Sequence, residues 1–273
     1  MRGLFSAGIL DVMMEHGISV DGIIGVSAGA AFGCNYKSNQ PGRAVRYNLN
    51  YARDPRYCSV RSLLFTGNLY GADFCYHELP EKLDIFDADA FAASPVEFHV
   101  TCTNVLTGEP VYRKLGCADH EALEWIRASA SMPLVSRIVE VGGRKLLDGG
   151  IADSIPLRYF RSIGYEKNIV VLTQPRGYTK SPNSMLPVIK CVYRKYPNLI
   201  DAIAHRHERY NETLEYLRQE EKRGNTLILC PDEKLPVERV ERDPEKLRAV
   251  YDIGRKQAET RLKDIEAFLQ TEK

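Results

Sequence analysis

The sequence predicts one α/β domain with a C-terminal helical extension, on three observations. The first half of the chain alternates helical and strand patterns. A short apolar stretch at 20–24 runs into Gly25-Val26-Ser27-Ala28-Gly29 and then a small-residue run to Cys34, which reads as strand, sharp turn and helix. Asn168 to Thr173 is a continuous, β-branched apolar run of the kind buried on both faces of a sheet.

The elements follow in chain order. Met1 to His16 reads as an amphipathic helix stopped by Gly17. Asp11 and Glu15 follow its apolar run at once and no small-residue cleavage site appears, which argues against a signal peptide. The strand at 20–24, the turn and a helix to about 37 come next, then a helix over 43–52. Residues 57–80 are rich in Tyr, Phe and Leu and are either core or a loop over the site. Val96 to Thr103 alternates as a strand, Thr107-Gly108 marks a turn before Pro110-Val111-Tyr112, and Asp119 caps a helix to Ala130. Residues 137–141 and 144–147 form a hairpin around Gly142-Gly143, with Asp148-Gly149-Gly150 at its end. The stretch 175–197 gathers Pro, Gly, Ser, Asn and basic residues and is expected to be mobile. Helices over 198–222 and 244–270 flank a strand at 226–230, the last helix opening at Asp243-Pro244-Glu245.

Composition narrows the class. A chain of 273 residues buries a sizeable core, and 44% hydrophobic with 27% charged residues is ordinary for a soluble globular protein. With 37 basic against 36 acidic residues, no global field favours nucleic acid, and no nucleic-acid partner is expected. The 7 cysteines are scattered without a C-x-x-C pair, so neither a disulfide framework nor a zinc site is suggested, and a reduced, cytoplasmic setting fits. No stretch reaches transmembrane length.

Ser27 is the residue to test as a nucleophile, because a strand–turn–helix elbow exposes a serine hydroxyl to a substrate carbonyl. Gly25 and Gly29 are expected to leave room where side chains would crowd the turn. Two plainer readings stand beside this one: Ser27 as a helix cap, and the turn as a phosphate site. No Lys follows at P-loop spacing and no G-x-G-x-x-G occurs, which weakens the second. The serine needs a base. An order of Ser27, Asp148 or Asp201, and His205 can be written on paper, but 26 residues before Ser27 are too few to build the strands that precede an α/β-hydrolase elbow. His205 and His207 also lie in a charged helical pattern that reads as a solvated face. The other route is a Ser–Asp pair with Asp148, against the plain reading of Asp148-Gly149 as a turn.

Together the Gly25–Gly29 elbow, the block Ala128-Ser129-Ala130-Ser131-Met132-Pro133, Asp148-Gly149-Gly150 and the following Ile155-Pro156-Leu157 resemble the patatin-like phospholipase family in order and spacing. Tyr193 to Pro197 and Arg206 to Asn211 look like a bacterial branch of it. The resemblance implies a three-layer α/β/α sandwich around a central, mainly parallel sheet. It implies Ser27 as nucleophile, Asp148 as its activating partner, and hydrolysis of lipid acyl esters through an acyl-enzyme with no metal or cofactor. The family's oxyanion segment, G-G-[GA]-x-[RK]-G, is matched only by Met1-Arg2-Gly3. The first strand is therefore expected to be missing from this chain, Met1 to be an internal methionine, and Arg2 and Gly3 to supply what remains of the hole. Residues 1–175 are expected to be the catalytic core, and 176–273 the rest of it plus the extension, in a single unit. The alternatives are a weak or inactive lipid-binding protein, and a thioesterase or acyltransferase using the same pair. The expected partner is a lipid or other acyl ester, with peripheral membrane contact through 57–76 or the basic 176–195.

Overall fold

The computed structural model describes residues 1–238 and 240–270. Its first helix, α1 (Leu4–Glu15), ends as expected: Gly17 is left-handed at φ 64°, and the Gly17 and Ile18 N–H groups donate to the Met14 and Met13 carbonyls at 3.0 and 2.9 Å. The expected amphipathic character does not hold. Phe5, Ile9, Asp11 and Met13 are buried along with Leu4, Ala7, Gly8 and Val12, so protein surrounds this helix on more than one side.

Strand β1 (Gly22–Val26) and helix α2 (Ala28–Lys37) form the predicted strand–turn–helix unit, followed by α3 (Arg43–Tyr51). The aromatic stretch divides between surface and core, and its exposed part is a helix where a loop over the site was the alternative. Helix α4 (Val60–Thr66) buries none of its residues, whereas the π-helical segment Phe74–Leu83 buries Phe74, Leu79 and Pro80. After α5 (Ala88–Ala93) come β2 (Glu97–Asn104), β3 (Pro110–Leu115) and α6 (His120–Ser129), with Asp119 capping Ala122 N–H at 2.9 Å. The hairpin is β4 (Val139–Val141) and β5 (Arg144–Asp148), turned by Gly142 and Gly143 at φ 56° and 69°. Helix α7 (Leu157–Ser162) and β6 (Asn168–Val171) follow. The stretch expected to be mobile contains α8 (Leu186–Val192), anchored by buried Ile189 and Tyr193. Each predicted C-terminal helix is two: α9 (Pro197–Ala204) and α10 (Arg206–Lys222) part at His205, and α11 (Pro244–Thr260) and α12 (Leu262–Gln270) at Arg261, with β7 (Thr226–Leu229) between the pairs.

The register of β2 places the candidate site. One edge of β2 pairs with β3, antiparallel, from Phe98 to Thr103. The other edge is shared end to end: β1 runs parallel along Glu97–Thr101, and β5 runs antiparallel along Cys102–Asn104. Val26 thus stands opposite Thr101 and Asp148 opposite the next residue, Cys102. Two strands arriving from opposite directions stop against each other, and the residue after Val26 is Ser27.

Helices cover both faces of the strand layer. Phe98, Val100 and Cys102 of β2 pack with Ala30 and Cys34 of α2 and Trp125 and Ile126 of α6. His99, on the opposite face, meets the rings of Phe160 and Tyr165 at 5.7 and 6.3 Å. β6 and β7 pair in parallel, with Ile169 and Leu229 joining the core around α1 and α11, and Val170 and Ile228 packing with Leu217 of α10. The layered α/β/α order is the expected one. Among the described residues no strand pairs with the edge of β1 opposite β2 or that of β6 opposite β7. Every residue of both strands instead lines a cavity of about 1560 Å³.

Helix α11 holds α1 in place. A Cβ on Gly254 would overlap the Phe5 carbonyl, and one on Gly8 would stand 2.8 Å from Arg255 N, so the backbones cross with no side chain between them. Tyr251 adds a hydrogen bond to buried Asp11 at 2.7 Å. Gly254→Ala is expected to cost about 1–3 kcal/mol by overpacking and to lower Tm by several degrees in calorimetry; an unchanged Tm would mean that the crossing yields freely.

Candidate active site

Ser27 sits at the turn between β1 and α2 with φ 55° and ψ −120°. This is a left-handed conformation that a non-glycine residue adopts only when its surroundings compel it. Two of those surroundings are visible. Gly25 lets α2 fold back on the strand, since a Cβ there would stand 2.6 Å from the backbone of Ala30. Ser129, at the end of α6, accepts the Ser27 N–H at 2.9 Å and donates its own hydroxyl to the Thr101 carbonyl at 2.7 Å, tying the elbow to β2. The expectation for Gly29 is corrected: a side chain there would meet nothing within 4 Å. Gly29 crowds no turn, because it faces the open cavity that Ser27 also lines.

Asp148 ends β5 and is buried. Its Oδ1 accepts the Gly150 N–H at 2.7 Å, its own N–H donates to the Ser131 carbonyl at 2.8 Å, and its carboxyl lies near enough to the Ser27 side chain to feel its hydroxyl. Gly149 is obligatory, since a Cβ would overlap the Thr101 carbonyl. Burial raises the Asp148 pKa above the ordinary carboxylate value; the nearby Ser27 hydroxyl, the Arg206 charge and the Gly150 N–H each pull it back. Arg206, from α10, was not among the residues singled out for the site. Its Nη2 and Asp148 Oδ1 would each lie 3.0 Å from a Cβ on Gly150, so the guanidinium reaches the same spot.

Gly3 packs against the other side of the elbow, where a Cβ would stand 2.5 Å from Ala28 Cβ and 3.0 Å from the Phe32 ring. The N-terminal ends of α1 and α2 therefore converge beside Ser27, and Arg2, Gly3, Ala28 and Gly29 all line the cavity with it. Among the described residues no histidine lines that cavity. His205 lies elsewhere, paired with exposed Asp201 at 3.1 Å, which removes the three-residue arrangement written on paper. His77, His120 and Glu124 bring ligand atoms within 4.8 Å of one another, but Arg127 already occupies Glu124, at 2.8 Å from Oε1.

Ser129 and Arg206 are the site residues that pattern reading missed. Ser129 lay inside the Ala128–Pro133 block, a signal of position without a role. Arg206 lay in a charged helical run that reads equally well as solvent-facing.

The Asp148 shift has a stability consequence. A carboxyl whose pKa is higher folded than unfolded binds its proton more tightly in the native state, so its contribution to stability falls as pH rises through the raised value. Asp148→Asn should therefore unfold at nearly the wild-type Tm near pH ~4 and at a higher Tm by pH ~7. Melting curves across that range check the sign; a variant less stable at neutral pH would contradict it.

Comparison with known proteins places this geometry. A family model described as patatin-like phospholipase matches residues 1–161, and one for a domain of unknown function (DUF6363) matches 196–270. An uncharacterized Escherichia coli protein, YjjU, is 28% identical over 187 residues, covering 66% of this chain and 51% of that protein. The uncharacterized NTE family protein Rv1063c of Mycobacterium tuberculosis is 28% identical over 172 residues, covering 62% of this chain and 45% of that one. The chain spans about half the length of these curated relatives. With the first model matching well over half of its residues, from the elbow through the Asp148 segment, the chain belongs to the patatin-like phospholipase family.

Proposed function

We propose that the protein hydrolyses carboxylic esters of lipids through an acyl-enzyme on Ser27, with Asp148 as the group that takes and returns the proton. The observation that carries this reading is that strand register brings Ser27 and Asp148 side by side on the wall of a large, mainly apolar cavity. Ser27 Oγ attacks the ester carbonyl as its proton passes to Asp148. The oxyanion of the tetrahedral intermediate is held by N–H groups at the α1 and α2 termini, Gly3 and Ala28 foremost, with Arg2 alongside. Collapse breaks the ester C–O bond, and the leaving alcohol takes the proton from Asp148. Water then repeats the sequence on acyl-Ser27, giving up a proton to Asp148 and releasing the fatty acid and the free serine. Burial makes Asp148 a stronger base than an exposed carboxylate, while Arg206 keeps its ionised form accessible. Gly25, Gly149 and Gly150 serve the pair by letting backbones and carboxylate approach closely, and Gly29 by leaving the space above the serine open.

The mouth of the cavity suits a lipid surface. No helix among the described residues is long and apolar enough to cross a membrane. Helix α4 instead points Val60, Leu64 and Phe65 outward, the last two 78% exposed, and α8 does the same with Val188 and Val192, as does Met185 just before it. The two helices flank the 132–136 loop: Leu69 N–H donates to Val135 at 2.8 Å on one side, and Tyr193 OH accepts from Leu134 N–H at 3.1 Å on the other. Segments 57–72, 125–139 and 174–200 carry no acidic residue and include Arg61, Arg137, Lys190, Arg194 and Lys195. Exposed apolar side chains in basic segments match an anionic lipid interface.

Two outcomes are expected. Ser27→Ala should lower hydrolysis of a short p-nitrophenyl ester by at least about 10³-fold and abolish labelling by a fluorophosphonate; a labelled, active variant would sink the mechanism. The double variant Leu64→Glu, Phe65→Glu should keep that soluble activity and lose co-sedimentation with phosphatidylglycerol vesicles. Undiminished sedimentation would place membrane contact elsewhere.

A further inference from the structure

Two segments of the cavity wall bring three metal-ligating side chains together on the side away from the cavity. His120 and Glu124 are four residues apart in α6 and so share one face of that helix. His77 meets them from the π-helical segment Phe74–Leu83. The His77 and His120 rings stack with centres 4.6 Å apart and planes 17° from parallel, and His77 Nε2 lies 3.4 Å from Glu124 Oε1. One nitrogen from each ring and one carboxylate oxygen all lie within 4.8 Å of one another. Among the described residues no other three His, Cys, Asp or Glu side chains are grouped in this way.

The group is accessible, since His120 is exposed and His77 and Glu124 are half-buried. Arg127 occupies Glu124 without exhausting it. The guanidinium donates to Oε1 at 2.8 Å and also to Oε2, and each oxygen keeps a further lone pair. Carboxylates that bind metals are commonly fixed by such a partner, which aims the oxygen at the ion.

We propose that His77, His120 and Glu124 form a binding site for a zinc ion, with Arg127 orienting the carboxylate. Two imidazoles and one carboxylate are a ligand set that zinc accepts, and the fourth tetrahedral position falls to water. Zinc–ligand distances of about 2.0–2.2 Å put neighbouring ligand atoms about 3.4 Å apart. Small rotations of the two histidine side chains close the set to that spacing. Magnesium and calcium, which take oxygen ligands, are excluded by the two nitrogens.

The site is separate from the reaction proposed at Ser27, because none of its three ligands lines the cavity. The segments that carry them do build it: Tyr76 and Leu79 from one, Ile126 and Arg127 from the other, face the cavity. Helix α6 also ends at Ser129, whose hydroxyl accepts the Ser27 N–H. An ion held between the two segments therefore clamps one cavity wall to the helix that braces the elbow. π-Helical turns are rare and often coincide with functional sites, and this one carries a ligand.

Calorimetric titration of the chelator-treated protein with zinc chloride tests the site. One equivalent should bind, raise Tm by several degrees at saturation and slow amide exchange over 74–83. Magnesium chloride should do none of this. His77→Ala, His120→Ala and Glu124→Gln should each weaken zinc binding by at least about tenfold, the cost met even when only a ligand's partner is removed. His120 is exposed, so its variant should match the wild-type Tm without zinc. Exposed Cys117, three residues before His120, is the competing ligand. Cobalt(II) separates the two, since d–d bands without a thiolate-to-cobalt charge-transfer band support the site. A charge-transfer band that vanishes in Cys117→Ser overturns it, as does the absence of stoichiometric binding or binding indifferent to both histidines.

Discussion

The site depends on one constraint of sheet geometry: β1 and β5 share a single edge of β2 and end against each other between Thr101 and Cys102. A strand edge offers each backbone group once, so where one partner strand stops the other can begin. The two meeting strands come from distant parts of the sequence and opposite directions, which leaves their terminal residues as neighbours. Ser27 follows one terminus and Asp148 is the other. Their proximity is thus a product of backbone register.

Other features protect that junction. Two strands meeting end to end leave backbone groups that must be satisfied, and Ser129 and Ser131, one at the end of α6 and one just beyond it, do so for Ser27 N–H and Asp148 N–H. Gly149 and Gly25 remove the Cβ atoms that would hold the segments apart. The strained backbone of Ser27 and the burial of Asp148 both cost stability, and both are held by packing far from the junction, in the cores around α1 and α6. On the mechanism proposed above, this is an exchange of stability for reactivity.

The same arrangement gives the cavity two ends of different chemistry. Ser27 lies where α1, α2 and α10 approach, among N–H groups and cations, whereas the beginnings of β1 and β2 carry carboxylates. Helix α10 matters here because it closes the cationic end while also covering β7 through Leu217, so the C-terminal segment is structural support and cavity wall at once.

Much of this was legible in the sequence. The G-x-S-x-G run, the Asp119 cap, the Gly142-Gly143 hairpin and the Asp148-Gly149-Gly150 ending depend on local backbone chemistry, which residue type and spacing express directly. Expectations failed where the deciding partner is remote. The α1 sequence reads as amphipathic because its own residues cannot report that α11 crosses it at Gly8. The G-x-S-x-G pattern makes Gly29 look like a steric necessity, yet the space above it is cavity. The helices at 198–222 and 244–270 ran on because nothing local marks the breaks at His205 and Arg261. By itself the sequence determined which serine stands on an elbow and which aspartate ends a strand, since both are short-range consequences of glycine placement and apolar pattern. Only the tertiary structure decided that the two meet, that Ser129 braces them and that Arg206 stands beside them, because strand register and helix docking bring together residues more than a hundred positions apart.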